Sequence, residues 1–249
     1  MKNVFISGSI AITHIPPSVE SSLIKIIQQN IHILVGDADG MDSLVQRFCK
    51  KHNYQNITVY SIYSPPRYNA AGFDEKFIQV DTAIKREREK QRAKDAAMTA
   101  DSYYNLVVWD GMSKGSFFNI QRALKLSKKV KVYLHQQNRF LAPNEISDNK
   151  IQQIYRINIG YEAKEVVEYL REKGSEHFDN TRAFNKYLLD KGIIQKINGI
   201  YEAVEKYNYL IKTEKYNGKV KGIKFTLEFL DWIEKAIKEH DVPENNDLF

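Results

Sequence analysis

Residues 32–42 read His32-Ile33-Leu34-Val35 followed by Gly36-Asp37-Ala38-Asp39-Gly40-Met41-Asp42: a short strand-forming run, a glycine-containing turn, and the start of a helix over Met41–His52. The same succession occurs twice more. Asn3–Ser7 (NVFIS) runs into Ser7-Gly8-Ser9, and Asn105–Trp109 (NLVVW) runs into Asp110-Gly111-Met112-Ser113-Lys114-Gly115-Ser116 ahead of a helix over Phe117–Leu126. Ile57–Tyr60 and Val130–Leu134 add two short apolar strands. Val19–Gln29, with Ser18 as its N-cap, and a long segment between Asp74 and Thr99 read as helices. Continuous apolar strands alternating with helices predict a parallel sheet covered on both faces. Right-handed crossovers make that sheet a doubly wound, Rossmann-like α/β fold.

The three glycine loops fall at the C-terminal ends of predicted strands, where open α/β sheets bind ligands. Glycine lets a ligand approach the backbone closely, and the N–H groups opening a helix favour a phosphate. The candidate ligand-binding residues are therefore Gly8, Ser9, Gly36, Asp37, Gly40, Asp42, Asp110, Gly111, Ser113, Gly115 and Ser116. Arg67, in Ser64-Pro65-Pro66-Arg67-Tyr68 after the third strand, joins them as a candidate phosphate clamp. Asp37 and Asp39 suit Mg²⁺ beside a phosphate or, equally, helix capping. The run Lys85–Arg92 is mixed in sign and reads as a solvated helix face, with Arg86 or Arg92 within reach of the same edge. Tyr103-Tyr104 and Phe117-Phe118 read as core, and the six histidines show no metal spacing.

VGDADGMD (Val35–Asp42), Lys94-Asp95 with Met98 and Ala100-Asp101, and VVWDGMSKGSFFNIQRALKLSKKVKVYL (Val107–Leu134) resemble the SLOG superfamily, and its YspA-like branch most closely. The resemblance implies a Rossmann-like domain that binds nucleotides or nucleotide-derived ligands. Gly36, Gly40 and Asp42 fall on its first motif; Asp110, Gly111, Ser113, Gly115 and Ser116 fall on its second. The LOG enzymes of this group cleave an N-glycosidic bond with an arginine and a glutamate. Here Asn119 stands where that glutamate would be. An amide is no general acid or base, so the departure favours binding or sensing over hydrolysis. In the alternative, N-glycosidase reading, Asp42 or Asp110 supplies the carboxylate. A third reading, similar to DprA, has this half bind single-stranded DNA.

The net charge of +6 is unevenly spread, with +8 on residues 1–160 and −2 on residues 161–249. A basic first half suits an anionic ligand. Absence of any apolar run of about 18 residues argues against a membrane span, and the single cysteine, Cys49, reads as a buried helix residue in a cytoplasmic protein. The expected organisation is a Rossmann-like domain over 1–137, a connector over 138–160 with an extra strand at Tyr155–Ile159, a small α+β domain over 161–240, and an acidic tail over 241–249.

In the second domain, Ala163–Lys173 and Thr181–Lys191 read as helices, and Ile193–Ile197 with Ile200–Val204 flank the hairpin dipeptide Asn198-Gly199. Another turn at 216–218 precedes Lys224–Thr226 and a closing helix, Leu227–His240. That succession suits a winged-helix module. Ala183–Ile194, Asn198-Gly199 and Lys224-Phe225-Thr226 before Leu230 and Trp232-Ile233 are similar to the KilA-C type modules of phage antirepressors. The likeness implies a phage- or defence-related regulator that contacts DNA or a protein partner. Residues 182–224 carry a local charge of +6, and Arg182, Lys186 and Lys196 are the candidate DNA-binding residues. Self-association is left open.

Overall fold

The computed structural model describes residues 2–216 and 218–241. The chain divides into two compact units, Met1–Ile154 and Tyr155–Phe249.

The first unit is the expected α/β fold. Strands β1 (Asn3–Gly8), β2 (His32–Val35), β3 (Ile57–Ser61), β4 (Asp74–Phe77), β5 (Tyr104–Trp109), β6 (Lys129–Leu134) and β7 (Arg139–Phe140) form one seven-stranded sheet in the order β4-β3-β2-β1-β5-β6-β7. All neighbours pair in parallel except β6 with the short β7. Successive side chains along each strand point to opposite faces of the sheet. Val4 and Ile6 of β1, Ile33 and Val35 of β2, and Ile57 and Val59 of β3 pack against helices α1 (Pro17–Gln28) and α2 (Met41–Lys51). The opposite face sets Phe5, Leu34 and Tyr60 against Met98 of helix α3 (Glu87–Asp101). Each side chain so enclosed contributes roughly 1.5–3 kcal/mol by leaving water.

The sheet winds from β1 out to β4, then resumes at β5 on the other side of β1, so β1 and β5 flank its topological switch point. The loops leaving these two strands diverge there and open a crevice. Helix α4 (Lys114–Lys125) starts at that crevice.

Several local expectations are corrected. The helix expected from Asp74 begins only at Glu87, because Asp74–Phe77 pairs in parallel with Thr58–Ser61 as an exposed edge strand. Its charges belong to an edge, where they discourage further pairing. Ser18 is not the N-cap of α1. Pro16 holds that position, and Pro17, with no N–H to satisfy, starts the helix two residues early. The strand expected at Tyr155–Ile159 is the last turn of helix α5 (Asp148–Ile159). Its buried face is carried by Ile151 and Tyr155, four residues apart, while Ile157 is exposed. The apparent alternation was too short to separate the two periods.

In the second unit, helices α6 (Ala163–Glu172), α7 (Thr181–Asp190) and α8 (Leu227–Asp241) surround two hairpins, β8 (Ile194–Ile197) with β9 (Ile200–Ala203), and β10 (Ile211–Tyr216) with β11 (Lys219–Phe225). Asn198 and Gly199 both take positive φ at the first turn, as a type I′ turn requires. The second hairpin is far longer than the Lys224–Thr226 segment expected. Phe184 of α7 is wholly buried against Phe225 and Phe229 at the centre of this core. The expected acidic tail lies, from residue 242 onward, outside the described residues.

Candidate functional site

A cleft of about 830 Å³ opens at the switch point, within the roughly 300–1,000 Å³ usual for small-molecule sites. Its floor is Phe5 and Ser7 of β1 with Met98 of α3. One wall is the loop after β1 with Ala38 and Asp42; the other is the loop after β5 with the first turns of α4. Helix α3 crosses it, presenting Arg88, Gln91, Arg92 and Asp95.

Ser9, Ser113 and Ser116 meet at its mouth. Ser9 Oγ lies 2.6 Å from Ser113 Oγ and 3.5 Å from Ser116 Oγ, and accepts the Asp110 N–H at 3.1 Å. Ser113 is the N-cap of α4, yet its side chain caps nothing, so the helix's opening N–H groups carry no side-chain partner. Asp110 is turned into its own loop, where Oδ1 accepts N–H bonds from Met112 (2.9 Å) and Ser113 (2.6 Å).

The glycines divide into two kinds. A Cβ on Gly36 would stand 2.2 Å from Asp42 Oδ2 and 2.8 Å from Lys94 Nζ; one on Gly40, at φ +72°, would stand 2.4 Å from the Ile10 carbonyl oxygen; one on Gly8 would stand 2.6 Å from that of Val108. What approaches these backbones is the protein itself, and Gly36, Gly40 and Gly111 do not line the cleft. A Cβ on Gly115, which does line it, would meet nothing within 4 Å.

Asp37 lies beneath the cleft, its side chain wholly buried. Oδ1 accepts from Arg67 Nη2 (2.8 Å) and Lys94 Nζ (3.1 Å); Oδ2 accepts from Ser61 Oγ (2.8 Å), Arg67 Nε (3.1 Å) and Arg67 N (3.2 Å). Burial pushes this carboxyl's pKa upward, but the Arg67 hydrogen bond, the Lys94 charge and Ser61 outweigh it and hold the group well below the usual carboxylate range. These donors fill the carboxylate's lone pairs, while Asp39 is exposed. Among the described residues no group of three or more His, Cys, Asp or Glu is placed to hold a metal ion.

Asp42 behaves oppositely. Burial, with the nearby Asp95 charge, pushes it up to about 6 against the pull of Lys94, and the Ala38 N–H reaches its Oδ2 at 3.3 Å. Asp95 is also raised by burial, against the charges of Lys94 and Arg122 and a hydrogen bond from Asn119. Asn119 in turn accepts from Arg122 Nη1 at 2.8 Å. The Asn119 amide thus bridges an arginine and a carboxyl.

Sequence reasoning missed Arg88 and Phe118 as cleft residues, and it quoted Ser7 in the first loop and Lys94-Asp95 in a motif without counting them among the ligand-binding candidates. Phe118 is not core: Arg92 and Lys114 sit over its ring at 4.6 and 5.7 Å. Tyr103 likewise is 45% exposed. Arg92 reaches the cleft, whereas Arg86 points away, 83% exposed beside Glu89. The spacing 88, 91, 92, 95 is one helical stripe, and that periodicity was the available signal.

In the second unit, Arg182 and Lys186 lie one turn apart on the exposed side of α7, and Lys196 is exposed on β8. Two of the cations counted toward the local charge are engaged internally: Lys212 Nζ donates to the Ile157 (2.7 Å) and Asn158 (3.1 Å) carbonyls, and Lys224 pairs with Glu162 at 3.3 Å. No helix among the described residues is long and apolar enough to cross a membrane. No protein-family model, curated protein or solved structure matches this chain.

Proposed function

We propose that the first unit binds a nucleotide or nucleotide-derived ligand in the switch-point cleft, and that the second unit is a winged-helix module contacting DNA, the pair acting as a sensor. The observation that carries the ligand reading is the uncapped first turn of α4 converging with Ser9, Ser113 and Ser116 under Arg88, Arg92 and Lys114. Free N–H groups, hydroxyls and cations together suit a phosphate. The SLOG-like motifs support the same assignment.

Gly115→Val tests it cleanly, because a Cβ there meets no protein atom within 4 Å and the added bulk takes up room in the cleft. Calorimetric titration with a nucleotide panel is expected to show affinity lower by at least about tenfold, with an unchanged melting temperature. Equal binding by the variant would sink the site. Gly36→Val cannot serve, since it collides with Asp42 and Lys94. Release of free base during the titration would favour the N-glycosidase reading. Asp42 then carries the carboxyl, because Asp110 is held by its own loop.

For the second unit, the exposed cations of α7 and β8 favour duplex DNA. The triple variant Arg182→Ala/Lys186→Ala/Lys196→Ala is expected to weaken duplex binding at every sequence and to reduce the log K versus log salt slope by about 0.9 per cation removed. An unchanged slope would exclude this face. No duplex binding by the wild type would transfer the module to a protein partner.

A further inference from the structure

The cleft is polarised. Arg88, Arg92 and Lys114 crowd its mouth and outnumber the one exposed carboxylate there, Glu87, while Asp42 and Asp95 flank the buried Lys94 deeper in. Between them, Ser7 presents a hydroxyl that is closed to bulk water, 4% exposed as a residue, and without any hydrogen-bond partner. A buried hydroxyl left unpaired is costly, and native structures seldom keep one without a use. Around it the surface is apolar: Phe5 and Met98 below, Phe118 at the side.

These features reject a phosphate at the floor, where two carboxyls would repel it. They suit a flat ring with apolar faces and an N–H-bearing edge. Resting on the nucleotide-site reading above, we infer that the floor is a subsite for an amino-bearing nucleobase, its ring lying on Phe5 and Met98 and its edge read by Ser7, Asp42 and Asp95. The hydroxyl donates to or accepts from a ring position. The carboxyls accept from the exocyclic amine and, when protonated, donate to a ring nitrogen. Burial raises both carboxyls and so favours the protonated form that can donate. The ligand's anionic end then faces the cations and the first turn of α4, so charge complementarity fixes its direction in the cleft.

The test uses the full chain, titrated with ribose 5-phosphate and with AMP, GMP and CMP. The wild type is expected to bind at least one amino-bearing nucleotide about tenfold more tightly than ribose 5-phosphate. Ser7→Ala/Asp95→Asn is expected to abolish that preference while leaving ribose 5-phosphate affinity unchanged and the melting temperature no lower than that of the wild type, since it removes an unpaired buried hydroxyl and a buried carboxyl. Ribose 5-phosphate binding with no added affinity for any nucleotide would overturn the base subsite and leave the phosphate site standing. A preference that survives in the double variant would also overturn it. Binding of neither class would overturn both readings together.

Discussion

Asp37→Ala is expected to cost the first unit about 3–5 kcal/mol, the scale for removing one partner of a buried ion pair. The loss is large because Lys94, with a side chain only 3% exposed, would lose the carboxylate it is hydrogen-bonded to. Arg67, 42% exposed, can turn toward water and adds less. Denaturant titration measures the change, and Lys94→Met in the Asp37→Ala background should restore part of it by removing the stranded charge. A cost below about 1 kcal/mol would mean that the cluster is no anchor.

Asp42→Asn should act in the other direction, raising stability above pH 6 by about 2–3 kcal/mol, from 1.36 kcal/mol per pKa unit. The native carboxyl titrates at about 6, above its unfolded value. Between roughly pH 4 and 6 the native state therefore holds the extra proton. Its contribution is most favourable below that window and is lost as pH rises through about 6. Asp95 is raised by the same cause and contributes with the same sign. Asp37 is lowered, so its stabilisation persists through this window and is lost only in stronger acid. Melting temperatures of wild type and Asp42→Asn from pH 4 to 8 should therefore diverge as pH rises. Parallel curves would show that Asp42 is well solvated.

The α/β architecture was legible because HILV, ITVY and NLVVW are continuous apolar runs, which only a sheet covered on both faces requires. Asp74-Glu75-Lys76-Phe77 was not, since an edge strand needs no apolar face and is fixed by pairing with β3. The hairpin β10–β11 escaped for a related reason. Its strands carry lysines and a glutamate, and a register shift at Glu214/Lys215 breaks their alternation. Ser9, Ser113, Ser116 and Gly115 were readable at strand ends because topology alone delivers those loops to one edge. The contribution of α3 was hidden in a charge run that resembles a solvated face, and only the packing of Met98 against Phe5 and Leu34 reveals which stripe turns inward.

The self-directed packing of Gly8, Gly36 and Gly40 has an evolutionary consequence. Those positions answer to the Val108 carbonyl, to Asp42 with Lys94, and to the Ile10 backbone, and so are fixed by the chain whatever it binds. Position 115, with empty space above it, is under no such restraint. In a lineage that exchanged one ligand for another, the glycine pattern would persist as a fossil of architecture, while residue 115 and the cleft-facing stripe of α3 would record the exchange.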